Sequence, residues 1–368
     1  MGKKKESKES KNLKLPRVSI CTPTFNRRPF FKGLIESIMA QNYPKDKIEW
    51  IIVDDGTDKI GDLVSDIPFV KYFYTEKMPL GKKRNFMHDN CSFKNDDDIV
   101  IYFDDDDYYP KERISHAVEK LTGSNALCAG SSEIYIWFNT LSKMYRFGPY
   151  GPNHATAGTF AFKRELLKQT SYENDALLAE EKHFLKNYTI PFVQLDPLKT
   201  ILVISHEQNT FDKRRLISPD NKQCNESALK PQNFIKNKDL FDFYIEHVPQ
   251  LLLSYHEGNV NNKPEVLAEI KRRDKEREQM QAQAQLQNQS QQVTIKNPDG
   301  TTRILQTHEI IQALQNVTNE LMESKKQNEI LLNKMNLMEQ MIRRNNLQKF
   351  FLNEFISTET SRVTNYGL

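Results

Sequence analysis

Apolar positions in the first third of the chain fall into short runs that alternate with helical stripes. RVSICT at 17–22 is a β-branched run stopped by Pro23, which predicts a buried strand. PFFKGLIESIMAQ at 29–41 has apolar residues at 30, 31, 34, 35, 38 and 39, a helical period. EWIIVDDG (49–56) is a second strand ending in a turn, and IPFVKYFYT (67–75) is a third. GKKRNFMHDNC (81–91) opens a helix. DIVIYFD (98–104) is apolar on consecutive positions, as in a strand buried on both faces, and KERISHAVEKL (111–121) is a helix after Pro110. This alternation predicts an α/β sandwich with a mainly parallel sheet.

The next stretch is mixed. EIYIWF and KMYRFG, joined at Asn139-Thr140, predict a hairpin, and GTFAFKRELL a strand running into a helix. NDALLAEEKHFLKNY (174–188) has a helical pattern. PFVQLDP and KTILVIS are strands, and KDLFDFYIEHVPQLLLSY, broken at Pro249, closes the domain near residue 256. Residues 257–291 turn charged and then Gln-rich, which predicts a linker or frayed helix. In 292–306, Pro-Asp-Gly between two β-branched runs signals a hairpin. Residues 307–345 carry a heptad seam: Ile310, Leu314, Val317, Leu321, Ser324, Asn328, Leu331, Met335, Met338 and Ile342. Its 4-3 spacing predicts a coiled coil, and Asn328 at an a position favours two strands, so a homo-oligomer, a dimer in particular, is expected.

Composition sharpens this outline. Apolar residues make up 38%, below the roughly 45–50% of globular chains, so a real core must coexist with polar segments. The basic arm 1–15 and the tail 346–368 fit that role. A net charge of +3, from 52 basic and 49 acidic residues, carries no nucleic-acid signature. There is no run of about 18 apolar residues and no apolar h-region at the start. Glu6 stands where a myristoylation signal needs Ser or Thr. Cys21, Cys91, Cys128 and Cys224 are widely spaced and read as reduced thiols. A cytoplasmic protein, soluble or peripherally membrane-associated, is expected.

The chemistry gathers at strand ends. Thr22-Pro23-Thr24-Phe25-Asn26, Asp54-Asp55-Gly56 and the run Asp104–Asp107 all follow strands, and in an open parallel sheet ligands sit beyond the carboxyl ends of the strands. Four adjacent carboxylates repel one another, and a hard divalent cation, Mn²⁺ or Mg²⁺, relieves that repulsion while bridging to substrate phosphates. Lys82, Lys83 and Arg84 at a helix start suit phosphate.

SICTPTFNR, IEWIIVDDGT, LGKKRN and IYFDDDDYYP, in this order, resemble the nucleotide-sugar-binding half of family 2 glycosyltransferases with the GT-A fold. The likeness spans 17–121 and extends more weakly to about 215. It implies a GT-A domain over 16–256, with a nucleotide-sugar half (16–121) and an acceptor half (122–256). It also implies a metal-dependent transferase that moves a sugar from a nucleotide diphosphate, usually UDP, to a glycan, protein or lipid hydroxyl with inversion. Thr22, Thr24 and Asn26 then line the nucleotide pocket, Asp54 faces the base with Asp55 beside it, and Arg84 and Asn85 lie near the uracil and phosphates. The DxD motif has two registers, Asp104-Asp105-Asp106 and Asp105-Asp106-Asp107. In the first, Asp104 approaches the ribose and Asp106 the metal. Glu181, or else Glu180, is the general base, His206 completes the metal shell, and His154 shapes the acceptor site. Tyr108, Tyr109 and Trp137 read first as core or surface aromatics and second as sugar-stacking rings.

Two other classes compete. One is an inactive GT-A scaffold dimerised by its coiled coil. The other is a nucleotidyltransferase, but that chemistry expects a Gly-rich, Lys-containing loop after the first strand, and PTFNRRP has no glycine.

Overall fold

The computed structural model describes residues 15–290, 294–296 and 299–344. All but Leu15 of the expected basic arm, and the whole expected tail 346–368, lie outside the described residues. The chain divides into two compact units, Met1–Lys275 and Glu276–Leu368.

Eleven strands build the first unit: β1 (Val18–Thr24), β2 (Ile48–Asp54), β3 (Val70–Tyr74), β4 (Ile99–Tyr102), β5 (Cys128–Gly130), β6 (Ile134–Phe138), β7 (Lys143–Phe147), β8 (Ala161–Lys163), β9 (Phe192–Gln194), β10 (Leu202–Ser205) and β11 (Cys224–Glu226). Seven form the main sheet in the order β3-β2-β1-β4-β8-β5-β9. Four of its six pairings are parallel; β8 runs antiparallel to both neighbours. A smaller sheet, β10-β6-β7-β11, contains the expected β6–β7 hairpin. This is the α/β sandwich with a mainly parallel sheet that the alternation predicts.

The continuous apolar runs have a simple cause. Val18, Ile20, Trp50 and Ile52 bury into one core cluster, and the alternate positions Cys21, Ile51 and Val53 into another. Both faces of the central strands are thus covered, as parallel sheets require. A third cluster joins Ile204 and Tyr135 to Phe234, Leu240 and Tyr244 of the helical segments that follow.

Three sequence expectations need correction. β1 does not stop at Pro23; it runs to Thr24, with Pro23 opposite Val53. It pairs with β4 only as far as Cys21, so a proline without an N–H costs no ladder bond on that side. In 174–188, only Glu181–Phe184 is helical. Ala179, Lys186, Asn187 and Tyr188 take positive φ angles of 53°, 48°, 56° and 62°, which an α-helix cannot accommodate. Last, the first unit does not close at residue 256. Residues 257–263 pack back onto it, and a helix, Pro264–Ser290, begins there with Val266 buried.

In the second unit, Thr294–Lys296 and Thr302–Ile304 pair antiparallel, and Thr307–Arg344 is one unbroken helix. No described helix is long and apolar enough to cross a membrane.

Candidate active site

β1 and β2 end in register, Thr24 opposite Asp54, while β4 delivers Asp104 two residues after Tyr102. Past Cys21, β1 has no β4 partner. A cavity of about 230 Å³ lies at this edge, lined by Thr24, Phe25, Asp55 and Asp104–Asp106, with five cations: Arg27, Lys77, Lys83, Arg84 and Lys263.

The four aspartates part ways. Asp104, Asp105 and Asp106 line the cavity. Asp107 does not: its Oδ1 accepts the Ile204 N–H at 2.9 Å and its carbonyl accepts the Tyr244 hydroxyl at 3.1 Å. Burial, then the neighbouring Asp106, raises Asp107 well above the usual carboxylate range. Burial and Asp106 likewise raise Asp105, against Arg27. Asp106 is opposite in sign. Burial pushes it up, but the hydrogen bond from His206 and the charges of Arg27 and Lys213 outweigh that and hold it well below. Asp106 is therefore the member of the run held most firmly as the carboxylate, while burial raises Asp104 against the pull of Arg84.

His206 Nε2 lies 3.1 Å from Asp106 Oδ2. Its Nδ1 accepts the Gln208 backbone N–H at 3.2 Å, and its Nε2 lies 3.0 Å from the Asn209 side-chain amide nitrogen as well. Burial lowers His206 to about 4 and keeps the ring neutral. His206 thus stands against Asp106 at the cavity edge and holds its carboxylate in place. Among the described residues, no three His, Cys, Asp or Glu side chains form a metal cage. What fits is a magnesium- or manganese-type site, in which one or two carboxylates share the ion with water and phosphate oxygens.

Arg84 joins the two halves. Its Nε donates to Glu180 Oε1 at 2.7 Å and its Nη2 lies 3.8 Å from Asp104 Oδ1. The guanidinium stacks over Tyr102 at 4.2 Å, and its buried Nη1 has no hydrogen-bond partner among the described residues. Glu180 is thereby fixed as a buried counter-ion. Glu181, half-buried at the start of the one-turn helix, is raised to about 7 by burial and by repulsion from Glu180.

Several expected ligands serve instead as staples. Thr22 Oγ1 accepts the Trp50 indole N–H at 2.9 Å, away from the cavity. Asp54 accepts Gly56 N–H (2.9 Å), Ile60 N–H (3.1 Å) and the Tyr72 hydroxyl (2.8 Å), so of the acidic pair it is Asp55 that faces the cavity. Asn26, at φ 51°, accepts Thr57 N–H and Asp58 N–H and donates to the Glu257 carbonyl. Asn85 bonds both backbone groups of Tyr172. Tyr108 and Tyr109 are buried, and the Tyr109 hydroxyl accepts the Asp104 N–H at 2.6 Å. Trp137 is half-buried against the third core cluster. His154 lies between Tyr150 and Tyr188, with ring centroids 4.9 and 4.8 Å away. Sequence reading missed Arg27 and Lys263. Arg27 stood inside the quoted TPTFNRR; Lys263 lies in a segment without motif or period.

The glycosyl transferase family 2 model matches residues 19–175, the stretch that carries β1–β8 and every cavity carboxylate but Glu265. This segment matches the family 2 glycosyltransferases. The probable glycosyltransferase YdaM of Bacillus subtilis (strain 168) is 31% identical over 80 residues, covering 20% of this chain and 19% of that protein. The chain thus spans about a fifth of that relative's length. The mannosyltransferase PcManGT from Pyrobaculum calidifontis, in complex with GDP-Man and Mn²⁺, is 19% identical, with 53% of this chain and 59% of that one aligned at a TM-score of 0.43. S. aureus TarS 1–349, in complex with UDP-GlcNAc, is 19% identical, with 52% and 59% aligned at a TM-score of 0.41. In this chain the matched stretch supplies Asp55 and Asp104–Asp106 to the cavity, residues beyond 175 add Lys263, and Glu180 and His206 hold Arg84 and Asp106 from behind.

Proposed function

We propose that this protein transfers a sugar from a nucleotide diphosphate, a UDP-sugar by resemblance, to an acceptor hydroxyl. The observation that carries this reading is the division of charge at the cavity: three carboxylates on one loop, faced by five cations. A nucleotide diphosphate with a divalent ion matches both signs at once.

Asp104 and Asp106 would hold Mn²⁺ or Mg²⁺ in the register Asp104-Asp105-Asp106, with Asp107 left to the fold. His206 orients Asp106 and would complete the shell through Nε2. A cation bound there offsets the charge that develops on the departing diphosphate. Thr24 and Asp55 meet the nucleotide, and Arg84 turns its free Nη1 toward the phosphates. Glu181 takes the proton of the acceptor hydroxyl as that oxygen attacks the anomeric carbon, which inverts its configuration. A second copy of the chain pairs along the helix Thr307–Arg344, where Leu314, Val317, Leu321, Leu331, Met335 and Met338 are each at least half exposed.

UDP release from UDP-sugars with Mn²⁺ tests the proposal. Activity should vanish with EDTA, and Asp106→Ala should lower kcat by roughly 10²–10³-fold. Equal turnover with EDTA, or no release from any nucleotide sugar, would sink it.

A further inference from the structure

Four of the five cations at the cavity are already engaged. Lys83 bonds Asp55 and the Thr24 carbonyl, Lys77 pairs with Glu265 at 2.8 Å, and Arg84 pairs with Glu180. Arg27 donates to the carbonyls of Gly258 (2.9 Å) and Gln208 (2.7 Å) and sits 3.8 Å from both Asp105 and Asp106. Lys263 is different. Its Nζ donates to Thr210 Oγ1 at 3.2 Å and lies 5.0 Å from the centroid of Phe25. Among the described residues, no carboxylate oxygen comes within ion-pair distance of it. Burial, then Arg27, pushes the ammonium down to about 7, against the pull of Asp105. A desolvated ammonium without a counter-ion is costly, and such a group is retained where an anion arrives.

The segment that carries it is built to stay. The Glu257 carbonyl is held by Asn26, the Gly258 carbonyl by Arg27, and the Asn262 carbonyl by Lys77 at 3.1 Å. Gly258 is required by the close approach: a Cβ there would collide with the Gln208 side chain and the Asn26 carbonyl. Every anchor lies in the loops after β1, β3 and β10, so 257–266 is a strap across the cavity mouth.

We infer that Lys263 is a donor-binding residue, whose ammonium contacts the diphosphate of the bound nucleotide from the strap. This inference rests on the transferase reading above. It extends the donor site about ninety residues past the stretch matched by the family, 19–175.

The test is calorimetric binding of UDP and GDP, with Mn²⁺, to full-length wild type, Lys263→Met and Lys263→Arg, together with thermal melting of each. Lys263→Met should weaken nucleoside diphosphate binding about tenfold or more, the loss of a charge-assisted contact. Without nucleotide it should melt no lower than wild type, because it removes a half-buried charge that has no carboxylate partner. Lys263→Arg should recover part of the affinity. If Lys263→Met binds UDP and GDP as wild type does, or only its melting falls, Lys263 merely pins the strap and the inference is overturned. Should Lys263→Met fail to fold, Lys263→Arg decides against a bound Lys263→Gln, which keeps a polar head without charge: equal affinities overturn it. A wild type that binds neither diphosphate overturns the transferase reading as well.

Discussion

Asp106 and Asp107 are adjacent in the chain and opposite in role. One is held ionised at the cavity by His206; the other is buried, raised and spent on the Ile204 N–H. Asp107→Asn keeps an oxygen for that N–H and should change stability by less than about 1 kcal/mol, whereas Asp107→Ala strands it and should cost about 1–3 kcal/mol in urea unfolding. Nucleotide binding with Mn²⁺ should survive Asp107→Asn and fail in Asp106→Asn; the reverse result would assign the other register. Glu181 has a pH signature. A base raised to about 7 is protonated below that value and inactive. kcat/KM should therefore climb tenfold per pH unit from the acid side and level off above about 7. Glu181→Gln should erase that limb and cost roughly 10²–10⁴-fold. A limb that persists in Glu181→Gln would assign the base elsewhere. The sequence marked out the DDDD run but not the direction of each side chain, because register at a strand end depends on which carboxylate the second sheet captures.

At the scale of elements, the parallel core was legible because each of β1, β2 and β4 is a continuous apolar run with both faces buried. The acceptor half was less so. NDALLAEEKHFLKNY has helical propensity throughout, yet Leu177 and Leu178 are drawn to the cavity while Phe184 and Leu185 go to the core, and one helix cannot serve both. The loop after β1 shows how such irregular pieces are held. Asn26 takes a left-handed backbone and staples Thr57, Asp58 and Glu257 together. Asn26→Ala should cost about 2–4 kcal/mol by denaturant unfolding, and Asn26→Gly measurably less, since glycine keeps the backbone geometry. Equal losses in the two would mean that the side-chain bonds alone matter.

At the scale of the molecule, the heptad seam was readable and the strap was not, because 257–266 shares the charged, unpatterned composition of a linker. The helix Thr307–Arg344 leaves Leu321 at 56% and Leu331 at 57% exposure, an apolar stripe that a second helix would cover. Sedimentation of the full chain should report a dimer, and Leu321→Glu with Leu331→Glu should convert it to monomer; a monomeric wild type would refute the pairing. Finally, Arg84 answers to two carboxylates at once, Asp104 in the donor half and Glu180 in the acceptor half. In the proposed reaction, a phosphate bound at the free Nη1 would share the guanidinium with Glu180 and shift the field felt by Glu181. The arrival of one substrate would then be registered where the other reacts, and the proposed transfer would have an order in time: nucleotide first, acceptor second.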